Sequence, residues 1–228
     1  MAWIKKATDV EVSKELEYSS SRITTTNAYD CTVTEAYLQE GKDADSKSVS
    51  LAISIKTQDG EDAKTFFTVF GRDGNTYFTS TTGGKTVKKQ HFGLSIVNSL
   101  FKIALGKEIF DCEPTQTTYQ KWNNDDKTME TLEADGFPEL VGAKVGVCIQ
   151  MIRKIKGKDS SEYPEIVHFF DLETGLFADE EPSDKRKLDR WLASAKDFKV
   201  IEEQAPKSAF GKKEEATTEA PVKKRWGK

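Results

Sequence analysis

The chain has 228 residues and a formal charge of −4, with 36% hydrophobic and 32% charged residues. That balance fits one sizeable, heavily solvated domain with tails, whose core comes from only part of the sequence. No apolar run approaches the ~20 residues of a membrane helix, and MAWIKKATDVEV lacks the apolar stretch of a secretory signal. The expectation is a cytoplasmic protein with no membrane partner. Cys31, Cys112 and Cys148 are odd in number and far apart, and there are only two histidines. Neither a disulfide framework nor a zinc knuckle is implied, and no cofactor or metal is expected.

Residues 1–28 are mostly polar and read as an N-terminal arm, which carries Lys5 and Lys6. From Tyr29 the pattern turns to period two. YDCTVTEAYL sets Tyr29, Cys31, Val33 and Tyr37 on one side, with Glu35 interrupting, and SVSLAISIKT alternates Val49, Leu51, Ile53 and Ile55 against serines and alanine. Both predict half-buried strands. QDGED is a turn, KTFFTVF a third strand, and GRDGN turns the chain into the short strand TYFTS. Strands that follow one another without an intervening helix form an antiparallel sheet.

STTGGKTVKKQ raises the question of a phosphate loop, because Gly83-Gly84-Lys85-Thr86 stands before a helix-like run. The full pattern needs a glycine at position 79, where this chain has threonine. A polymer of phosphates is the better match for Lys85, Lys88 and Lys89. In HFGLSIVNSLFKIALG, Phe92, Ile96, Val97, Leu100, Ile103 and Ala104 recur at helical spacing, ending at Gly106. Residues 107–138 read as irregular and polar, with Tyr119 and Trp122 as isolated aromatics and a helical turn near METLEAD. ELVGAKVGVCIQMIRKI, interrupted by Gly142 and Gly146, reads as a long bent strand. After a turn at KGKDSSEYP, EIVHFFDL reads as another. SDKRKLDRWLASAK carries a Ser N-cap signature and predicts a surface helix. Residues 201–228 form a Lys/Glu/Ala/Thr/Pro segment expected to be disordered, ending in KKRWGK.

Three antiparallel strands, a helix, then two more strands is the order of an OB-fold barrel. The expectation is therefore a mostly β protein: an OB-like five-stranded antiparallel barrel at 29–200, with a helix between strands three and four and a C-terminal helix. Such barrels bind single strands by stacking bases on exposed rings while Lys and Arg follow the phosphates. The candidates here are Lys64, Phe66, Phe70, Arg72, Tyr77, Phe78, Lys85, Lys88 and Lys89, with Lys5, Lys6, Trp122, Arg153 and Lys154 added. Any one phenylalanine among them also fits a core position.

The size, the element order, the FFTVFGRDGNTYF hairpin, the helix SIVNSLFKIALGKE and the C-terminal extension together resemble a bacteriophage single-stranded DNA-binding protein. The resemblance covers residues 29–172 plus the tail and is one of organisation. It implies a non-enzymatic protein that coats single-stranded DNA during replication, recombination and repair. It also implies a C-terminal tail that recruits a DNA or RNA polymerase or another replication protein. Tails in that family usually end acidic with a terminal aromatic. This one ends in Lys223, Lys224, Arg225, Trp226 and Lys228, which suits an acidic partner surface or added DNA contacts. Two other classes share these features: a structural or scaffolding protein, and a metal-dependent nuclease built on Asp171, Glu173, Asp111 and Glu113. The nuclease lacks a lysine at the short D…ExK spacing.

Overall fold

The computed structural model describes residues 22–43, 45–82, 85–182 and 186–202. It is mostly β. Among the described residues ten strands run β1 (Asn27–Glu40), β2 (Val49–Thr57), β3 (Asp62–Phe70), β4 (Tyr77–Thr82), β5 (Lys85–Gln90), β6 (Thr115–Asn123), β7 (Thr128–Gly136), β8 (Lys144–Lys156), β9 (Asp159–Phe170) and β10 (Lys199–Glu202). Helices α1 (Phe92–Leu105) and α2 (Lys187–Ser194) complete the set. No helix among the described residues is long and apolar enough to cross a membrane.

The frame of the molecule is the path β3–β2–β1–β8–β9, antiparallel at every step. Alternation sends Leu51, Ile53 and Ile55 of β2, and Val145, Val147 and Ile149 of β8, into one core. A bulge between Val33 and Glu35 shifts the register of β1. Val33 therefore points inward, Glu35 outward and Ala36 inward again, which explains the break in alternation at Glu35. The two ends of the path, β3 and β9, approach without a backbone ladder. The Ile166 N–H donates to Thr65 Oγ1 (3.0 Å), and the Phe67 and Phe169 rings lie 6.2 Å apart.

α1 covers this seam, burying Leu94, Val97, Leu100 and Phe101. Gly93 permits the close approach, since a Cβ there would stand 2.6 Å from the Thr68 backbone nitrogen. Phe101 meets Phe137 edge-on at 4.8 Å, tying the helix to the segment before β8. Gly106, in the left-handed region at φ 67°, ends the helix as expected.

Several elements differ from the sequence reading. Residues 115–136 form the β6–β7 hairpin, so METLEAD is strand and not helix. Its polar and threonine-rich residues alternate without a continuous apolar side, which hid the strands. β9 already begins at Asp159, because the turn after β8 needs only Gly157 (φ 63°) and Lys158. The ordered fold also extends past both expected boundaries. Ile23 is fully buried, so residues 22–28 belong to the domain and not to a separate arm. At the other end β10 pairs parallel with β8 as far as Glu202. α2 begins after Arg186, without a side-chain cap, and Ser183 lies outside the described residues.

Candidate nucleic-acid interface

Along β3, Phe67 and Val69 enter the core while Lys64, Phe66, Thr68 and Phe70 take the opposite face. Phe66 is 51% exposed and Phe70 37%. Next in the chain, β4 and β5 form a two-stranded sheet of their own, with Thr82 paired to Lys85. Lys85-Thr86 of the Gly-Gly-Lys-Thr motif thus begins β5 and not a helix, while Gly83 and Gly84 lie outside the described residues. No helix N-terminus is presented to a triphosphate.

Pairing sorts the hairpin's side chains into two faces. Phe78, Lys85, Val87 and Lys89 share one, whereas Tyr77, Thr79, Lys88 and Gln90 share the other. Lys88 Nζ lies 4.5 Å from the centre of the Tyr77 ring, a cation–π contact. Phe78 is 41% exposed and tilts against His91, with ring centres 5.7 Å apart.

Between β3, the start of α1 and β9 runs a groove of about 610 Å³. Its wall includes Phe66, Phe78, His91, Phe92, His168 and Lys199. Phe92 is the ring that sequence reasoning misplaced. It was counted on the buried side of the helix, yet it is 82% exposed. At 100° per residue it lies nearly opposite Leu94, the first buried residue of α1. That count was available from the sequence.

A polar cluster sits on the outward face of β1–β3, the same face that carries Phe66 and Phe70. Glu35 accepts hydrogen bonds from Ser54 Oγ (2.6 Å), Lys64 Nζ (2.9 Å) and the Gln120 N–H (2.7 Å). Burial alone would raise the Glu35 pKa. The three donors outweigh it and hold the carboxyl below its ordinary value. Lys64 also lies 4.7 Å from the Tyr37 ring, on which Tyr119 stacks at 3.8 Å. Burial opposes its charge, but Tyr37 and Glu35 raise its pKa above the usual lysine value. Lys64 thus fastens β6–β7 to the sheet instead of standing free for a phosphate.

The other expected cations are dispersed. Arg72 pairs with Asp43 at 3.0 Å, both exposed, so the pair exchanges readily. Arg153 pairs with Glu162 at 2.7 Å and lies 4.3 Å over Phe198, with Lys154 beside it on β8. Neither lines the groove. Trp122 stands opposite Met129 on the exposed face of β6–β7, away from Tyr119. Lys5, Lys6, Lys223, Lys224, Arg225, Trp226 and Lys228 lie outside the described residues.

Two of the four carboxylates of the nuclease reading, Asp171 and Asp111, are engaged locally. Asp171 accepts from the Thr174 N–H and hydroxyl, and Asp111 exchanges capping bonds with Glu108. Among the described residues no three His, Cys, Asp or Glu side chains gather as metal ligands would. The Cys31 and Cys148 thiols are pushed up to about 12, chiefly by burial, and are unfit as nucleophiles. Compared with protein-family models and with curated proteins, the chain matches none.

Proposed function

We propose that this chain is an OB-type single-stranded DNA-binding protein, of the kind phages use to coat DNA in replication and recombination. The path β3–β2–β1–β8–β9, with α1 between its third and fourth strands in chain order, supports an OB-like barrel left open at one seam. One observation carries the binding reading. Phe66, Phe78 and Phe92 stand exposed around one groove, and the hairpin face bearing Phe78 also bears Lys85 and Lys89. Rings stack bases of any sequence at ~1–3 kcal/mol each, and lysines follow the phosphates. The net charge of −4 does not oppose this, because residues 77–90 contain three lysines and no acid. A polyanion responds to that local field and not to the total.

A fluorescently labelled dT oligonucleotide, titrated at two salt concentrations and read by anisotropy, tests the proposal. Saturable binding that weakens as salt rises is expected. No anisotropy change at low salt overturns it. Neither of the described tryptophans, Trp122 and Trp191, lines the groove, so a labelled oligonucleotide is the more direct readout.

A further inference from the structure

The two exposed hairpins have opposite characters. Residues 77–90 carry three lysines and no acid, while residues 115–136 carry five carboxylates against Lys121 and Lys127. On the outer face of β6–β7, Trp122 (49% exposed) and Met129 (57% exposed) face each other across the ladder. Next to this pair on the same face stand Gln120 and Thr131; Glu133 and Asp135 follow four and six residues from Met129 along that face of β7, and Asp125 and Asp126 lie in the turn at the other end. Glu133 gives one oxygen to Gln116 and Asp126 one to Asn123. A polyanion is repelled here. A cationic segment carrying a flat ring is the matching occupant, because an indole on Trp and Met makes a desolvated anchor and the carboxylates receive the charges.

The chain itself holds such a segment. Its last six residues, KKRWGK, contain four cations and one tryptophan. Twenty residues, 203–222, separate them from the end of β10. At random-coil dimensions a stretch of that length spans ~25 Å root-mean-square, against a radius of gyration of ~16 Å for a domain of this size. The hairpin is within reach of its own tail, at an effective concentration of ~1 mM. That advantage favours the same molecule over a second copy.

We propose that residues 223–228 dock on the Trp122–Met129 face of β6–β7 in the same chain. There the basic motif is held away from DNA until an acidic partner competes for it. The docking does not depend on the groove or on DNA.

Zero-length carbodiimide coupling of the dilute full-length protein, without DNA, tests it, with the monomer band mapped by mass spectrometry. Amide links from Lys223, Lys224 or Lys228 to Asp125, Asp126, Glu133 or Asp135 are expected. They should be lost in Trp226→Ala, in Trp122→Ala and at high salt. Trp226 lies beyond the described fold, so its variant reports even if Trp122→Ala unfolds. Three results overturn the proposal: no such links in the monomer, links confined to a dimer band, or links indifferent to Trp226→Ala.

Discussion

Phe92 stands at the first helical position of α1, in water, while Leu94 two residues later is fully engaged in the core. An apolar ring left that exposed costs little to remove and contributes little to folding. Phe66→Ala, Phe78→Ala and Phe92→Ala should therefore each weaken binding of oligo-dT by ~1–3 kcal/mol, with nearly unchanged melting temperatures. Anisotropy beside thermal melts separates the two effects, and a variant that melts early without losing affinity contradicts the assignment. Glu35 presents the opposite case. Three donors converge on it, and removing the acceptor in Glu35→Ala leaves half-buried donors unpaired, at a cost of ~1–3 kcal/mol. Its folded pKa is depressed, so this stabilisation is complete above the ordinary glutamate value of ~4.3 and fades as pH falls through the folded pKa. Melting curves of wild type and Glu35→Ala should converge in acid; a constant gap between them contradicts the cluster's role. Lys64 has a raised pKa, and its share persists until pH climbs through that value.

At the level of elements, the β4–β5 hairpin carries the clearest test. It is hydrogen-bonded to no other strand, so its residues can be changed without disturbing a ladder of the main sheet. Lys85 and Lys89 share the face of Phe78, whereas Lys88 is turned to Tyr77. Replacing Lys85 and Lys89 with alanine should lower the salt slope of oligo-dT binding by ~1.4, as two lost phosphate contacts require. Lys88→Ala should change it less. Equal effects from all three would mean that the hairpin acts only as a diffuse charge. The strands β2 and β3 were readable from sequence because apolar and polar residues alternate along them; β1 alternates on either side of its bulge, and β8, though buried on both faces from Val145 to Ile152, still alternates large apolar residues with small or polar ones over its first half. The β6–β7 hairpin was not, because its inner face packs through Tyr119, Leu132 and Ala134 on a polar cluster and lacks a continuous apolar stripe. For the same reason Trp122 looked like one more ring for the groove. Without an apolar alternation to mark its strand, nothing local in the sequence ties it to the acidic residues of the same hairpin.

Across the whole molecule, charge is separated and not merely balanced. The overall −4 hides a lysine hairpin beside the groove and an acidic hairpin fastened on the outer face by Glu35, Lys64 and Tyr37. The order of the five frame strands and α1 could be read from the sequence, since it needs only the succession of their periodicities. The groove could not. It arises where β3 and β9 fail to pair and α1 lies across the seam, a tertiary event that leaves no local pattern. Only that seam brings Phe66, Phe78 and Phe92 together from three separate elements.

Photo-cross-linking with an oligonucleotide containing 5-iodouracil, followed by peptide mapping, reads that convergence directly. The account predicts adducts on peptides containing Phe66, Phe78 and Phe92 and none on β6–β7. Adducts concentrated on Trp122, or none at all under conditions where the oligonucleotide binds, would contradict it.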